Sequence, residues 1–323
     1  MITTSSTSAV LSHRSDEAAI TTVCEAPTTT VLALIAHARG VPSAAREAFA
    51  AECEALPAHD STILVHTCHR VELYVAPGAF GDVELPQPPP GGLRLEDAAA
   101  ARHLISVACG LQSAVLGEDQ VLHQVRQTLA LRQAARPLDP VLDRLFQVAL
   151  NAGRRANGWF AGSRRSLGDV ALDEIEHVVG SLEDQQILIV GAGSMSRLTA
   201  QAATRRGARV TITNRTAERA LALARSVGGK AVEWASDGTL GPFVGAIVAV
   251  SGSWAIHQQD SARLVESGAT VVDLSSPAAV SDTFQTQLGG RFVSIDDLAW
   301  GPQVELAGGL RGRLEGLVTE SGV

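Results

Sequence analysis

One apolar run that ends in a glycine loop limits what this chain can fold into more than any other stretch. Ile187-Leu188-Ile189-Val190 is followed at once by Gly191-Ala192-Gly193-Ser194-Met195-Ser196, and then by a helical pattern to about Gly207. A short continuous apolar run bounded by turn residues reads as a strand buried on both faces. Beyond it come a strand over Arg209–Thr213, a helix over Ala217–Val227, and strands over Ala246–Val250 and Thr270–Leu274. Strands alternating with helices predict a parallel, doubly wound, Rossmann-like sheet. In that context Gly191 makes the tight turn and Gly193 lets a pyrophosphate approach the backbone, while Ser196 replaces the third glycine with another small residue. Ala192, Ser194 and Met195 complete the loop. Where an acidic residue would hold a ribose hydroxyl, the second strand ends in Asn214-Arg215-Thr216. An arginine there suits a 2′-phosphate, so NADPH is expected over NADH. The bland alternative is an ordinary strand-to-helix turn that holds no nucleotide.

A chain of 323 residues has room for a second domain with its own core. Only 4% of it is aromatic, so Ala, Val and Leu must fill both cores. Val31–Ala36 reads as a buried strand, and Pro42 and Ser43 open a helix with Ala45, Phe49 and Leu56 on one face. Strands follow at Thr62–Val65 and Val71–Val75, then a proline-rich loop from Pro77 to Gly92. From Leu93 the pattern is helical, with Glu96 and Asp97 in the first turn and Ala101, Leu104, Ile105 and Ala108 facing inward. A second helix runs through Arg132, and a third from about Val141 to Asn157. The expected domains are therefore a small α/β catalytic unit with a helical half over 31–165, and a nucleotide domain over 166–298. Residues 1–30, rich in Ser, Thr and Ala, are expected to be a disordered extension, and 299–323 a short helical tail.

The net charge of −8 argues against a uniformly positive nucleic-acid-binding surface, although Arg154-Arg155 and Arg164-Arg165 form a local basic cluster. No run reaches the 18 or so apolar residues of a membrane helix. Cys24, Cys53, Cys68 and Cys109 show no paired spacing, which fits reduced thiols in the cytoplasm.

The chemistry concentrates in His66-Thr67-Cys68-His69-Arg70-Val71-Glu72. A thiol at a strand end amid His and Arg reads as a thiolate nucleophile. A metal site from His66, Cys68 and His69 is the rival. On an extended strand, however, residues 66 and 68 face one side and 69 the other, and no fourth ligand lies near in sequence. A thiol combined with a nicotinamide cofactor narrows the reaction: the thiolate takes an acyl group as a thioester, and hydride reduces it to an aldehyde.

Thr67-Cys-His-Arg-Val-Glu-Leu-Tyr74 resembles the T-C-N-R-x-E-x-Y signature of the glutamyl-tRNA reductase family. The similarity continues through Arg102–Ser113, Leu116–Val125, Leu145-Phe146, Gly191–Met195, Asn214–Thr216, Asp273-Leu274 with Pro277, and Ile295–Leu298. The resemblance implies that Cys68 attacks the ester of an aminoacyl-tRNA, with glutamyl-tRNA expected, and that NADPH reduces the resulting thioester. The product would be glutamate-1-semialdehyde, which a downstream aminomutase would use in tetrapyrrole synthesis. It implies further that Arg70 holds the substrate carboxylate and that His103 serves as acid/base or positioning group near the leaving oxygen. Glu72, Ser113, Glu118 and Gln120 match polar positions of the family pocket. From residue type alone, His103 could equally be structural, and Glu118 and Gln120 could be helix caps.

Several positions depart from the family pattern. His69 stands for its Asn, Val71 for its Thr, His123 for its Gly, and Ala156-Asn157-Gly158-Trp159 for its R-T-E-T segment. These changes predict an altered pocket beside the nucleophile and altered tRNA contact. The chain ends at Val323, where the family continues into a dimerisation domain, so a monomer is expected. Three readings stay open: a tRNA-dependent reductase, an NADPH-dependent reductase of another thioester or carbonyl, and a non-catalytic paralogue that binds cofactor or aminoacyl-tRNA.

Overall fold

The structure, a computed structural model, describes residues 30–76, 84–113, 119–159, 165–234, 240–298 and 310–321. Its first sheet is antiparallel, with spatial order β2-β3-β1-β4, from β1 (Leu32–His37), β2 (Thr62–Thr67), β3 (Arg70–Val75) and β4 (Leu93–Glu96). Strict alternation splits each strand between two cores. Leu32, Leu34, Val71, Leu73 and Val75 face helix α1 (Ser43–Glu54), which contributes Phe49 and Cys53. Ala33, Ile35, Ile63, Val65 and Tyr74 face the helical layer of α2 (Asp97–Ala108), α3 (Asp119–Ala135) and α4 (Pro140–Trp159). With both faces covered, β3 is buried at every position, so any charged side chain on it must find a partner inside the protein.

Leu93–Glu96 is a strand and not the opening turn of a helix. Glu96 pairs with Leu32, and Leu93 with Ile35, across the free edge of β1. The helix starts only at Asp97, whose backbone φ is 45°. Its carboxylate Oδ1 accepts N–H bonds from Thr30 at 2.8 Å and Val31 at 3.1 Å. Those bonds fix the corner and outweigh the local helical pattern upstream of it.

The second domain opens with α5 (Leu167–Val179), capped reciprocally by Ser166 and Asp169. Its sheet is fully parallel, with order β10-β9-β8-β5-β6-β7. The strands are β5 (Gln186–Val190), β6 (Arg209–Thr213), β7 (Lys230–Val232), β8 (Gly245–Val248), β9 (Thr270–Asp273) and β10 (Phe292–Ser294). Helices α6 (Ser194–Arg205), α7 (Ala217–Val227), α8 (Gln258–Glu266), α9 (Asp282–Leu288) and α10 (Ile295–Leu298) connect and flank them. The strand order reverses between β5 and β8, and ligands of such sheets bind outside the carboxyl ends at that point. The edge strands β7 and β10, three residues each and only partly buried, carry too few apolar residues to stand out in sequence. Helix α5 is a further element beyond the sequence expectation.

The C-terminal α11 (Leu310–Ser321) packs on the first domain. Leu317 enters that domain's core, and the Arg313 guanidinium lies 4.5 Å from the centre of the Trp159 ring. The extension expected to be disordered, residues 1–30, lies outside the described residues apart from Thr30 at its end.

Candidate active site

Cys68 and His69 form the two-residue tip of the β2–β3 hairpin, because Thr67 pairs directly with Arg70. The tip is pressed against the nucleotide domain. Cys68 packs on the apolar cluster that contains Leu167, Ile295 and Leu298. Arg46 of α1, 1% exposed, clamps the junction. It donates to the carbonyls of Val41 at 2.7 Å and Cys68 at 3.1 Å, and to Asp296 Oδ1 at 2.9 Å. A second bridge joins Ser276 Oγ to Glu47 Oε1 at 3.0 Å.

A small cleft opens at this junction. Cys68, Arg70, Ser113, Gln120 and Gln124 from the first domain line it together with Met195 of the glycine loop. Arg70 Nε, Ser113 Oγ and Gln120 Nε2 are buried there without a protein partner. Buried polar atoms left unpaired are costly, and three around one thiol mark a space that a polar group or ordered water would complete. Gln124 escaped the sequence reading, although it lies one helical turn beyond Gln120 on the same face of α3. Glu118 lies outside the described residues.

Behind the cleft sits a buried charge network. Glu72, 0% exposed, accepts from Arg70 Nη1 at 3.1 Å, His103 Nε2 at 3.0 Å and Tyr74 OH at 2.7 Å. Burial alone would raise the Glu72 carboxyl, but the attraction of His103, then of Arg70, and the Tyr74 hydroxyl hold it well below the usual carboxylate range. Glu72 therefore orients Arg70 and His103 from behind and does not enter the cleft. His103 likewise is turned to Glu72 and is not among the side chains that line the cleft. Arg70 Nη2 donates to the Gln112 carbonyl at 2.6 Å, and His37 Nε2 lies 3.1 Å from the same oxygen. Because His37 Nδ1 accepts the Arg39 N–H at 3.0 Å, Nε2 must carry the proton that meets Gln112. Burial, reinforced by the Arg70 charge, pushes the His37 imidazole down to about 3.

Two of the sequence departures resolve differently from expectation. Val71 lies on the opposite face of β3, in the core under α1, so it does not shape the pocket. His123 is exposed and meets Arg126 at 2.7 Å, so its bulk goes to solvent. Ala156 is a core residue, while Trp159 is the ring under Arg313. Only His69 borders the thiol, with Nδ1 3.8 Å from Cys68 Sγ. His66 faces Glu47 and Glu54 of α1 at 3.7 and 3.5 Å, so the three metal candidates do not converge.

At the carboxyl end of β5 the glycine loop fits a dinucleotide. Gly191 has φ +118°, and a Cβ there would lie 2.2 Å from the Ala249 carbonyl oxygen. Ser196, fully buried, bonds that same oxygen at 3.3 Å. A Cβ on Gly193 would meet nothing within 4 Å, and α6 begins there without a side-chain cap, which leaves its first N–H groups for an anion. Arg215 is exposed and reaches across to the Ser251 carbonyl at 2.9 Å, while Asn214 Nδ2 donates to the Thr216 carbonyl at 3.0 Å.

Comparison with known proteins bears on this arrangement. Residues 28–158 match the family described as Glutamyl-tRNAGlu reductase, N-terminal domain, and residues 173–300 match Shikimate / quinate 5-dehydrogenase. The glutamyl-tRNA reductase of Methanopyrus kandleri is 35% identical over 73% of this chain and 61% of its own length. That of Rubrobacter xylanophilus is 35% identical over 73% of this chain and 60% of its own. This chain is similar to the glutamyl-tRNA reductases. It spans about three fifths of the length of these reductases. The solved structure of the Methanopyrus kandleri glutamyl-tRNA reductase aligns with 91% of this chain and 79% of that one, at 25% identity and a TM-score of 0.45. As in the reductase signature, Cys68, Arg70, Glu72 and Tyr74 alternate along one hairpin. Among the described residues, no helix is long and apolar enough to cross a membrane.

Proposed function

We propose that this protein reduces an aminoacyl-tRNA, with glutamyl-tRNA as the substrate to test first, to the amino aldehyde through a thioester on Cys68. The observation that carries the reading is the shared cleft: the thiol, three unpartnered buried polar atoms and Met195 of the glycine loop border one space. Cys68 attacks the ester carbonyl and expels the tRNA hydroxyl. Arg70, fixed from behind by Glu72 and the Gln112 carbonyl, directs its free Nε toward the substrate's side-chain carboxylate. Ser113 and Gln120 supply the neighbouring hydrogen bonds, and Glu118 is assigned with them on the family pattern alone. NADPH, when bound, supplies the hydride that converts the thioester to the aldehyde. Gly191 and Gly193 admit its pyrophosphate to the first turn of α6, and Arg215, with Asn214 and Thr216, receives the 2′-phosphate. The product aldehyde, glutamate-1-semialdehyde, is the substrate of an aminomutase-type reaction. Cytoplasmic placement agrees with Cys53, Cys68 and Cys109 forming no disulfide among the described residues.

The test mixes the protein with charged tRNAs, follows NADPH oxidation, and reads the acyl adduct by intact mass. An adduct with glutamyl-tRNA that disappears in Cys68→Ser, with NADPH consumed in step, is the expected result. Turnover of a small thioester with none of any aminoacyl-tRNA would replace this reading by a tRNA-independent reductase. Bound NADPH with no adduct would leave a binding protein.

A further inference from the structure

His69 is the group that touches the reacting sulfur and that the reading above leaves without a role. Its Nε2 lies 3.5 Å from the Ile295 carbonyl oxygen, and its Nδ1 lies 3.8 Å from Cys68 Sγ. A carbonyl oxygen only accepts, so the ring proton belongs on Nε2 and the Nδ1 lone pair faces the thiol. The other histidines near the hairpin are committed elsewhere: His103 Nε2 to Glu72, His37 Nε2 to Gln112, and His66 to Glu47 and Glu54. We infer that His69 is the general base of this site, accepting the Cys68 thiol proton at Nδ1 as the sulfur attacks and returning it to the departing oxygen.

Resting on the reading of Cys68 as nucleophile, the step balances without a redox change. The S–H bond breaks as the C–S bond forms, and the proton moves to Nδ1. The ester C–O bond then breaks with its electron pair on oxygen, and the imidazolium returns the proton to that oxygen. The neutral ring is the resting form the surroundings favour, and the imidazolium they disfavour passes its proton on to the departing oxygen. Burial, then the charge of Arg70, pushes the His69 imidazole down to about 4. The groups that face it are Arg46 from α1, His37 from β1, Arg70 from β3, and the Ile295 carbonyl and Asp296 from α10. Two of these belong to the nucleotide domain, so the tautomer that arms the thiol is set by that domain's contact with the hairpin.

A small aryl ester, p-nitrophenyl acetate, tests this without tRNA or NADPH. The rate of acetyl transfer to Cys68 is read by intact mass from pH 5 to pH 8, with Cys68→Ser as the control for other thiols. Attack assisted by a neutral base gives a nearly flat profile in the wild type. Attack by a free thiolate rises tenfold per pH unit below the thiol's ordinary value of about 8.5. His69→Asn should convert the flat profile into the rising one and slow acylation on the order of 100-fold at pH 6. A tenfold-per-unit rise in the wild type overturns the inference even if the variant fails to fold. A His69→Asn profile that stays flat and fast overturns it as well. No acetyl on Cys68 in any form would instead overturn the nucleophile reading, and this inference with it.

Discussion

Replacing Glu72 by Gln isolates the charge that holds Arg70 in place. The amide keeps the shape of the carboxylate. Its oxygen at the Oε1 position still accepts from Arg70 at 3.1 Å and His103 at 3.0 Å, and its nitrogen can donate to the Tyr74 oxygen, 2.7 Å away. The three contacts survive with the Tyr74 bond reversed, which leaves its hydroxyl hydrogen without the Glu72 acceptor, and the negative charge does not survive. Arg70 is 0% exposed, so its guanidinium would be left buried without a counter-ion. Breaking a buried ion pair from one side costs about 3–5 kcal/mol, and retention of the Arg70 and His103 contacts places Glu72→Gln at about 3 kcal/mol. With a urea slope of about 2 kcal/mol/M, the midpoint of the first domain should fall by about 1.5 M. Circular dichroism with urea titration measures it. The double variant Arg70→Met with Glu72→Gln should recover about 2 kcal/mol relative to the sum of the singles, because it removes the stranded charge. A Glu72→Gln midpoint shifted by less than about 0.3 M from wild type would refute the argument that Glu72 neutralises Arg70.

The two loop glycines should separate fold from binding. Gly191→Ala forces a Cβ to 2.2 Å from the Ala249 oxygen at φ +118° and should lower thermal stability measurably, whereas Gly193→Ala has open space and should weaken NADPH binding with the melting temperature unchanged. Arg215→Ala should reduce the preference for NADPH over NADH by about tenfold to a hundredfold, the value of a charge-assisted hydrogen bond, as measured by fluorescence titration of both nucleotides. Stability should fall in mild acid. His37 and His69 stay neutral when folded, at about 3 and about 4, whereas the unfolded chain takes up both protons near pH 6.5. Each therefore costs about 1.4 kcal/mol per pH unit as pH drops from 6.5 toward its folded value. The urea midpoint measured from pH 6.5 to 4.5 should decline, and His69→Asn should halve the slope.

The chain's local chemistry determined the large units. Uninterrupted apolar runs such as Ile187–Val190 could only be strands covered on both sides, and the glycines after them marked the turn at the sheet's carboxyl edge. The hairpin strands around Cys68 were legible for the same reason. Alternation also fixed that Arg70, Glu72 and Tyr74 share one face, and that property should have removed Val71 from the pocket. What pattern could not decide was which polar side chains meet, since that depends on residues far apart in sequence. His103 reads as a helix-face histidine until α2 brings it to Glu72, and Arg46 carries no signal in sequence until Asp296 and the Cys68 carbonyl surround it. Leu93–Glu96 reads as helix until the free edge of β1 offers a ladder. His69 makes the point most sharply. As a letter it is a departure beside Cys68; the tautomer on which its proposed role rests depends on a carbonyl at position 295 that only the packed domains place against its ring.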